Sequence, residues 1–429
     1  MRSRQVDGAQ VGLRVLGHSP SSSRRSVNWS FNDIVKGMNL DQADLVSFLA
    51  AQPTPTRLLG FGEPMHGSEE ILRARNAVIV DLVLRGGYRS IAVESDFHRA
   101  PLANDYLAGA DIDLQRVLDE GFSHPYLHRL AATGELLERL RELNRTLETP
   151  VRFYGFDAPM EMAAAPSPRA HLLRLRAALA AVDEHIVGEQ EIEDLLGDEA
   201  RWTEERAMYE ADRGVGRTVD AERLRLLTDD LCAVLQARAP ELAESAEAWW
   251  RLRADAATAV GLLRYHAIMA TDTPDRLGRL SAHRDAMMGR NLLAILDREA
   301  GRGGTVAFAH NLHLQRGVSD MRMGPHTVRW FSGGAQAAAR LRDGYRFVAV
   351  GIGAAPAHGL AEPEPGTVEG ELYRTQTAPA RLYAGPELAA RLGDACSRAD
   401  RDALGAYFPL DAARLSETDG VLFLREVRA

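Results

Sequence analysis

The sequence predicts an α/β fold: a mostly parallel central sheet flanked by helices, with a large all-helical insertion. Three observations predict it. Short apolar runs of buried-strand type recur along the chain, as in Leu58-Leu59-Gly60-Phe61-Gly62. Stretches of helical periodicity separate those runs, and strands joined through helices pair in parallel by right-handed crossovers. Between them, residues 168–298 read as helix almost throughout, with no strand signal.

Taken in order, residues 1–30 read as a disordered arm. The first 25 hold five Arg and one Asp among Ser and Gly, a composition with too little apolar surface to pack. Asn39 to Ala50 reads as a short helix. The first part of the α/β core covers 31–167. It contains the strand at Leu58–Gly62, a helix from Ser68 to Leu84 closed by Gly86-Gly87, and a strand at Ser90–Val93. Helical pattern follows over Ala100–Leu107 and Leu127–Leu147, then a strand at Val151–Phe156. In the insertion, Trp249, Leu252, Ala256, Val260 and Leu263 form an apolar stripe at helical spacing, so Trp249 and Trp250 are read as packed core rather than a substrate wall. The second part of the core covers 299–429. Strands are predicted at Thr305–Ala309, Phe347–Ile352 and Val421–Leu424, with a long loop region over 354–385.

Composition narrows the function. A net charge of −9 argues against a nucleic-acid binder, and no run approaches the length of a membrane span. Two cysteines, Cys232 and Cys396, give neither a disulfide framework nor a thiolate metal site, and fit a reducing cytoplasm. The N-terminus lacks the apolar segment of a signal peptide. Lys36 is the sole lysine, which leaves little room for a catalytic one.

Parallel sheets bind ligands beyond the carboxyl ends of their strands. Four strands here run directly into ionisable residues: Glu63-Pro64-Met65-His66, Glu94-Ser95-Asp96, Asp157, and His310-Asn311-Leu312-His313. If the strands are parallel, these sets share one edge. Arg75 adds to them. At about 100° per residue with Ile71 as the origin, it falls near 40°, inside the arc of Val78, Leu82 and Ile71. A buried guanidinium needs a partner, and Glu63 and Glu94 are the candidates. His66 sits in a tight Pro-Met-His-Gly loop before a helix N-terminus, the kind of rigidly mounted loop that carries catalytic groups. There is no Gly-x-Ser-x-Gly elbow, no phosphate-binding Gly-Lys-Ser/Thr loop and no His-Glu-x-x-His helix. Gly351-Ile352-Gly353 does not continue as a dinucleotide fingerprint. The remaining reaction class is general-base attack by water, with a histidine as base.

These same residues resemble the erythromycin esterase family, which takes in succinoglycan biosynthesis-type proteins. The likeness rests on Gly62-Glu63-Pro64-Met65-His66-Gly67-Ser68, Arg75-Asn76, Ile91-Ala92-Val93-Glu94, Asn104-Asp105-Tyr106, Tyr154-Gly155-Phe156-Asp157, Arg284-Asp285-Ala286-Met287-Met288 and Ala309-His310-Asn311-Leu312-His313. It implies an α/β core with a helical insertion, a deep cleft, and metal-independent, water-mediated cleavage of a macrolide lactone ester. By position, His66 corresponds to the general base. Glu63, Arg75 and Glu94 correspond to supporting charges, and His310 or His313 to a second histidine. His313, Asn311, Asp157, Tyr106 and Asn104 are the candidates for contact with a small-molecule substrate. No cofactor is expected, and oligomeric state stays open. Three alternatives stand beside this reading: a tailoring enzyme using the same cleft for acyl transfer, cyclisation or elimination; a metal-dependent hydrolase with Glu63, His66, Glu94, His310 and His313 as ligands; and a non-catalytic binding protein.

Overall fold

A computed structural model describes residues 44–123, 129–160, 165–323, 326–400 and 407–428. The arm expected at 1–30, the start of the helix expected at 39–50 and the start of that expected at 127–147 lie outside the described residues.

Among the described residues nine strands are formed: β1 (Leu58–Glu63), β2 (Tyr88–Asp96), β3 (Arg152–Asp157), β4 (Gly304–His310), β5 (Val318–Met323), β6 (His326–Phe331), β7 (Tyr345–Ala354), β8 (Ala380–Ala384) and β9 (Gly420–Glu426). Seven of them make one sheet in the order β3-β2-β4-β1-β7-β9-β8. All pairs are parallel except β8 with β9. β5 and β6 form a separate antiparallel hairpin. The chain leaves β1 outward to β2 and β3, then returns after a long excursion to place β4 between β2 and β1. Glu63 therefore lies beside His310 in register, and Asp96 beside Asp157.

The alternation of strand side chains divides the core between two faces. On one face, Val306 and Phe308 of β4 meet Ile71, Val78 and Leu82 of α2 (Glu69–Leu84), with α1 (Leu45–Ala50), α3 (Pro101–Leu107), α4 (Leu114–Glu120) and α5 (Ala131–Asn144) extending that layer. On the other, Ala307 and Ala309 meet Met288, Leu292 and Ile295 of a later helix, Arg276–Arg298. Along 168–298 the longer helices are α6 (Arg169–Leu179), α7 (Glu189–Leu196), α8 (Val219–Ala237), α9 (Ala246–Met269) and α10 (Arg276–Arg298). The first four share their own apolar centre, with Leu172, Leu175, Trp202, Leu224, Leu231, Ala259 and Leu263. Trp249 packs against that centre, whereas Trp250 meets Phe97 at a tilt, with ring centres 5.0 Å apart, and Tyr154 edge-on at 6.1 Å, joining α9 to the sheet.

The region 354–385 departs from the loop expectation. It holds a helix at Val368–Thr375, α11, as well as β8. Thr367 caps α11 through its hydroxyl, and Val368 and Leu372 are buried. Two apolar residues one turn apart, amid Pro, Gly and Thr, are too faint a periodicity to read from sequence.

Candidate active site

β1, β2, β3 and β4 all end at one edge of the sheet, and the ionisable residues that follow them gather there. After Glu63 the chain turns sharply through His66 and Gly67. Gly67 has φ of 85°, where a side chain is strained, and Ser68 then caps α2 by accepting from the Ile71 N–H. This turn folds the His66 ring back over Glu63, and Nδ1 donates to Glu63 Oε2 at 2.8 Å. Glu63 is buried, while the His66 side chain keeps 17% exposure. Burial disfavours the charged imidazole. The Coulomb pull and hydrogen bond of Glu63, with Glu94 behind, outweigh burial and the opposing Arg284, and raise the His66 pKa to about 9.

Glu94 is the hub. One oxygen accepts from the His310 backbone N–H at 2.9 Å and the other from Arg284 Nη2 at 3.2 Å. Arg284 also donates to both oxygens of Asp157, at 3.0 and 2.5 Å. Burial pushes the Asp157 carboxyl up despite that arginine, and Glu94 adds to the rise. The same pair of carboxylates drives the Arg284 guanidinium above its ordinary value against its own burial.

The two later histidines differ. His310 caps a single helical turn at Asn311–Leu314, its Nδ1 accepting from the Leu312 N–H at 3.2 Å. In the neutral ring the proton therefore sits on Nε2. Its ring centre lies 5.3 Å from that of His66 and 4.9 Å from Phe408. His313 donates from Nδ1 to Asp285 at 3.0 Å and brings Nε2 to 3.5 Å from Glu94. Burial lowers its pKa, but Asp285 and Glu94 turn the balance upward. Asp285 is fully buried and also accepts from the Gly333 N–H at 2.8 Å, so the His313 ring is fixed.

Glu63, His66, Glu94, Asp157, His310 and His313 are thus brought together, as the strand-end argument predicts. Others are placed differently. Arg75 is buried and faces the sheet as expected, but its expected carboxylate partner is not there. Nε and Nη2 donate to Asn76 Oδ1 at 3.1 and 2.8 Å, and the guanidinium stacks 4.9 Å over the Phe308 ring. Glu63 acts on it only at longer range, and burial lowers its pKa to about 10. Asn311 turns away from the cluster and takes up β7 backbone just past the end of its pairing with β1: Nδ2 donates to Val350 O at 2.8 Å, and Val350 N–H donates to Oδ1 at 3.1 Å. Gly62 makes room for it, since a Cβ there would fall 1.9 Å from Asn311 Oδ1. Asn104 performs the same service for the Phe153 backbone on β3, at 2.5 and 2.7 Å. Tyr106 is buried beneath the Arg141 guanidinium, 4.3 Å from its ring centre. Among the contacts of the described residues, neither Asn104 nor Tyr106 reaches the strand-end cluster.

Two residues that sequence reasoning did not single out for the site are central to it, Arg284 and Asp285. A signal existed for the second. Asp285, Met288, Leu292 and Ile295 follow one another at helical spacing on the buried face of α10. An acid in an apolar stripe points inward by the same argument that placed Arg75.

The family model for erythromycin esterase matches residues 83–427. The chain belongs to the erythromycin esterase family. Solved structures agree with that fold. A Bacillus cereus protein superposes with a TM-score of 0.68 at 14% identity, covering 94% of this chain and 93% of its own. A histidine-to-asparagine variant of the erythromycin esterase EreC, in its open conformation, gives 0.65 at 17% identity, covering 92% and 94%. A succinoglycan biosynthesis protein gives 0.61 at 13% identity, covering 90% and 98%. No curated protein sequence matches the chain. Among the described residues, no helix is long and apolar enough to cross a membrane.

Proposed function

We propose that this protein hydrolyses a carboxylic ester or macrolactone in a small molecule, with water as nucleophile and the Glu63–His66 pair as general base. The observation that carries this reading is the 2.8 Å bond from His66 Nδ1 to Glu63 Oε2 at the partly exposed mouth of a buried charge cluster. The carboxylate accepts only, so it holds the Nδ1 proton and leaves Nε2 as the basic lone pair. Water gives a proton to Nε2 while its oxygen bonds to the ester carbonyl carbon. The carbonyl oxygen gains negative charge, and the Nε2–H of His310 is the donor that meets it. The C–O bond to the alcohol then breaks, and His66 returns its proton to the leaving oxygen. Glu94 and Arg284 hold the frame, and Asp285 holds His313 within it.

The family membership supports the reaction class, and the His–carboxylate geometry supports the choice of base. The experiment is incubation with a panel of macrolide lactones and simple aryl esters in water enriched in heavy oxygen, followed by mass spectrometry. One labelled oxygen in the carboxylic acid product is expected. Turnover to an unlabelled product overturns hydrolysis and favours a tailoring reaction, and no cleavage of any panel member removes the ester class tested.

A further inference from the structure

Outside the strand-end cluster, a second set of metal-binding side-chain types converges: His98 in the loop after β2, His171 on α6 and Asp255 on α9 bring one ligand atom each within 4.8 Å of one another. We infer that these three residues form a divalent-cation site of the zinc type, which ties the helical segment to the sheet.

The geometry fits a tetrahedral ion. Zinc holds nitrogen and oxygen ligands at about 2.0–2.1 Å, which places neighbouring ligand atoms roughly 3.4 Å apart. The observed separations bracket that value: His171 Nδ1 to Asp255 Oδ1 is 2.7 Å, and His98 Nδ1 to the same oxygen is 3.8 Å. The outer partner is also in place. His98 Nε2 bonds to Thr258 Oγ1 at 2.9 Å, which orients the ring with Nδ1 toward Asp255. Asp255 and His171 are buried.

The protein's own hydrogen bonding here is frustrated. Arg174 Nη2 lies 2.6 Å from Asp255 Oδ1 and 2.9 Å from His171 Nδ1, while His171 Nδ1 also faces Asp255. One ring nitrogen cannot serve both neighbours. If it carries a proton it meets the arginine N–H, and if it does not it turns a lone pair on the carboxylate. A cation that accepts both lone pairs removes the conflict, and the guanidinium marks where positive charge is wanted. Arg174 is long and its side chain is 52% exposed, so it can swing outward and open a coordination position to water.

Zinc titration of the full chain by calorimetry, with elemental analysis after gel filtration, tests the site. One equivalent is expected in the wild type and in His66→Ala, and none in His171→Ala or Asp255→Ala. Because Asp255→Ala also removes an ion pair and can unfold the chain, Arg174→Ala is the second variant. Loss of an exposed competing charge should tighten zinc binding by about fivefold. Absence of zinc binding in the wild type overturns the inference. So does binding that survives His171→Ala but fails in His66→Ala, and so does Arg174→Ala binding zinc no better than wild type.

Discussion

Two arginines face the sheet from helices on opposite sides of it, Arg75 buried and Arg284 with 21% of its side chain exposed, and they meet different things. Arg284 of α10 reaches the strand-end edge and is clamped by Asp157 and Glu94. Arg75 of α2 lies against Phe308 and is satisfied by the neighbouring amide of Asn76, which is itself anchored to Ala132 O at 2.7 Å. One guanidinium is raised above its ordinary pKa and the other drawn down to about 10. Both lose solvation, and what separates them is the carboxylates. The helical wheel tells that an arginine points inward, but strand order decides whether acid waits for it. β2, β3 and β4 deliver acidic or capping groups to one edge, while the face of β4 toward α2 presents the apolar Val306 and Phe308.

The largest expected effect separates the working mouth of the cluster from its frame. His66→Ala should lower kcat/KM by about a hundredfold or more, the range of a lost general base, while the protein still unfolds in one cooperative transition, at a lowered midpoint because buried Glu63 loses its partner. A folded His66→Ala protein with near-wild-type turnover removes the assignment. Next comes the contrast between the arginines. Arg284→Met takes from buried Asp157 and Glu94 the guanidinium that hydrogen-bonds to both and should destabilise by about 3–5 kcal/mol in urea titration. Arg75→Met strands only the Asn76 amide oxygen and removes a buried charge, so about 1 kcal/mol is expected. Equal losses would mean that Arg75 depends on Glu63 after all.

pH sharpens the comparison from the histidine side. His66 must be unprotonated to act as base, yet Glu63 and Glu94 hold its pKa near 9. At pH 7 only about one molecule in a hundred is ready. kcat/KM should therefore climb about tenfold per pH unit above neutrality and level off near 9, in a limb that belongs to the Glu63–His66 pair. Stability runs the other way. A folded pKa above the ordinary 6.5 of His66 adds stability that is fully present below 6.5 and lost as pH rises through about 9. His313, also raised, has the same sign. A kcat/KM profile that falls above pH 7 would reverse the role of His66 from base to acid.

Much of this was legible in the chain because strand ends are local events. An apolar run followed by Glu-Pro-Met-His or His-Asn-Leu-His identifies both the strand and the chemistry at its tip, without knowledge of its neighbours. Parallel pairing then carries Glu63, Glu94, Asp157 and His310 to one edge. What sequence did not show is what each polar side chain does once there. Asn311 and Asn104 sit in motif-like settings but spend their amides on backbone groups, Val350 in one case and Phe153 in the other. That use depends on which strand lies alongside. Arg284 and Asp285 stood among the family-like motifs but were given no role, because helix α10 reads as part of a long helical stretch, and only its packing on Ala307 and Ala309 brings its charged turn over the strand ends. The β5–β6 hairpin, which carries Trp330 to within 6.5 Å of the His313 ring, gave no distinct strand signal.

The smallest expected effect on turnover tests the edge of the sheet against its catalytic end. β3 is a terminal strand of the sheet, so the outer N–H and C=O of Phe153 have no strand partner. Asn104 supplies both bonds from α3, as a one-residue substitute for an eighth strand. Asn104→Ala leaves that backbone pair unsatisfied and should destabilise by about 1–3 kcal/mol in urea titration. It should leave kcat/KM within about twofold, because Asn104 bonds to the edge strand and not to the Glu63–His66 pair. Asn104→Asp offers the acceptor without the donor and should recover part of the loss. Were Asn104→Ala to raise KM with stability unchanged, the residue would belong to substrate recognition, and the division between a structural edge and a reactive end would have to be redrawn along α3.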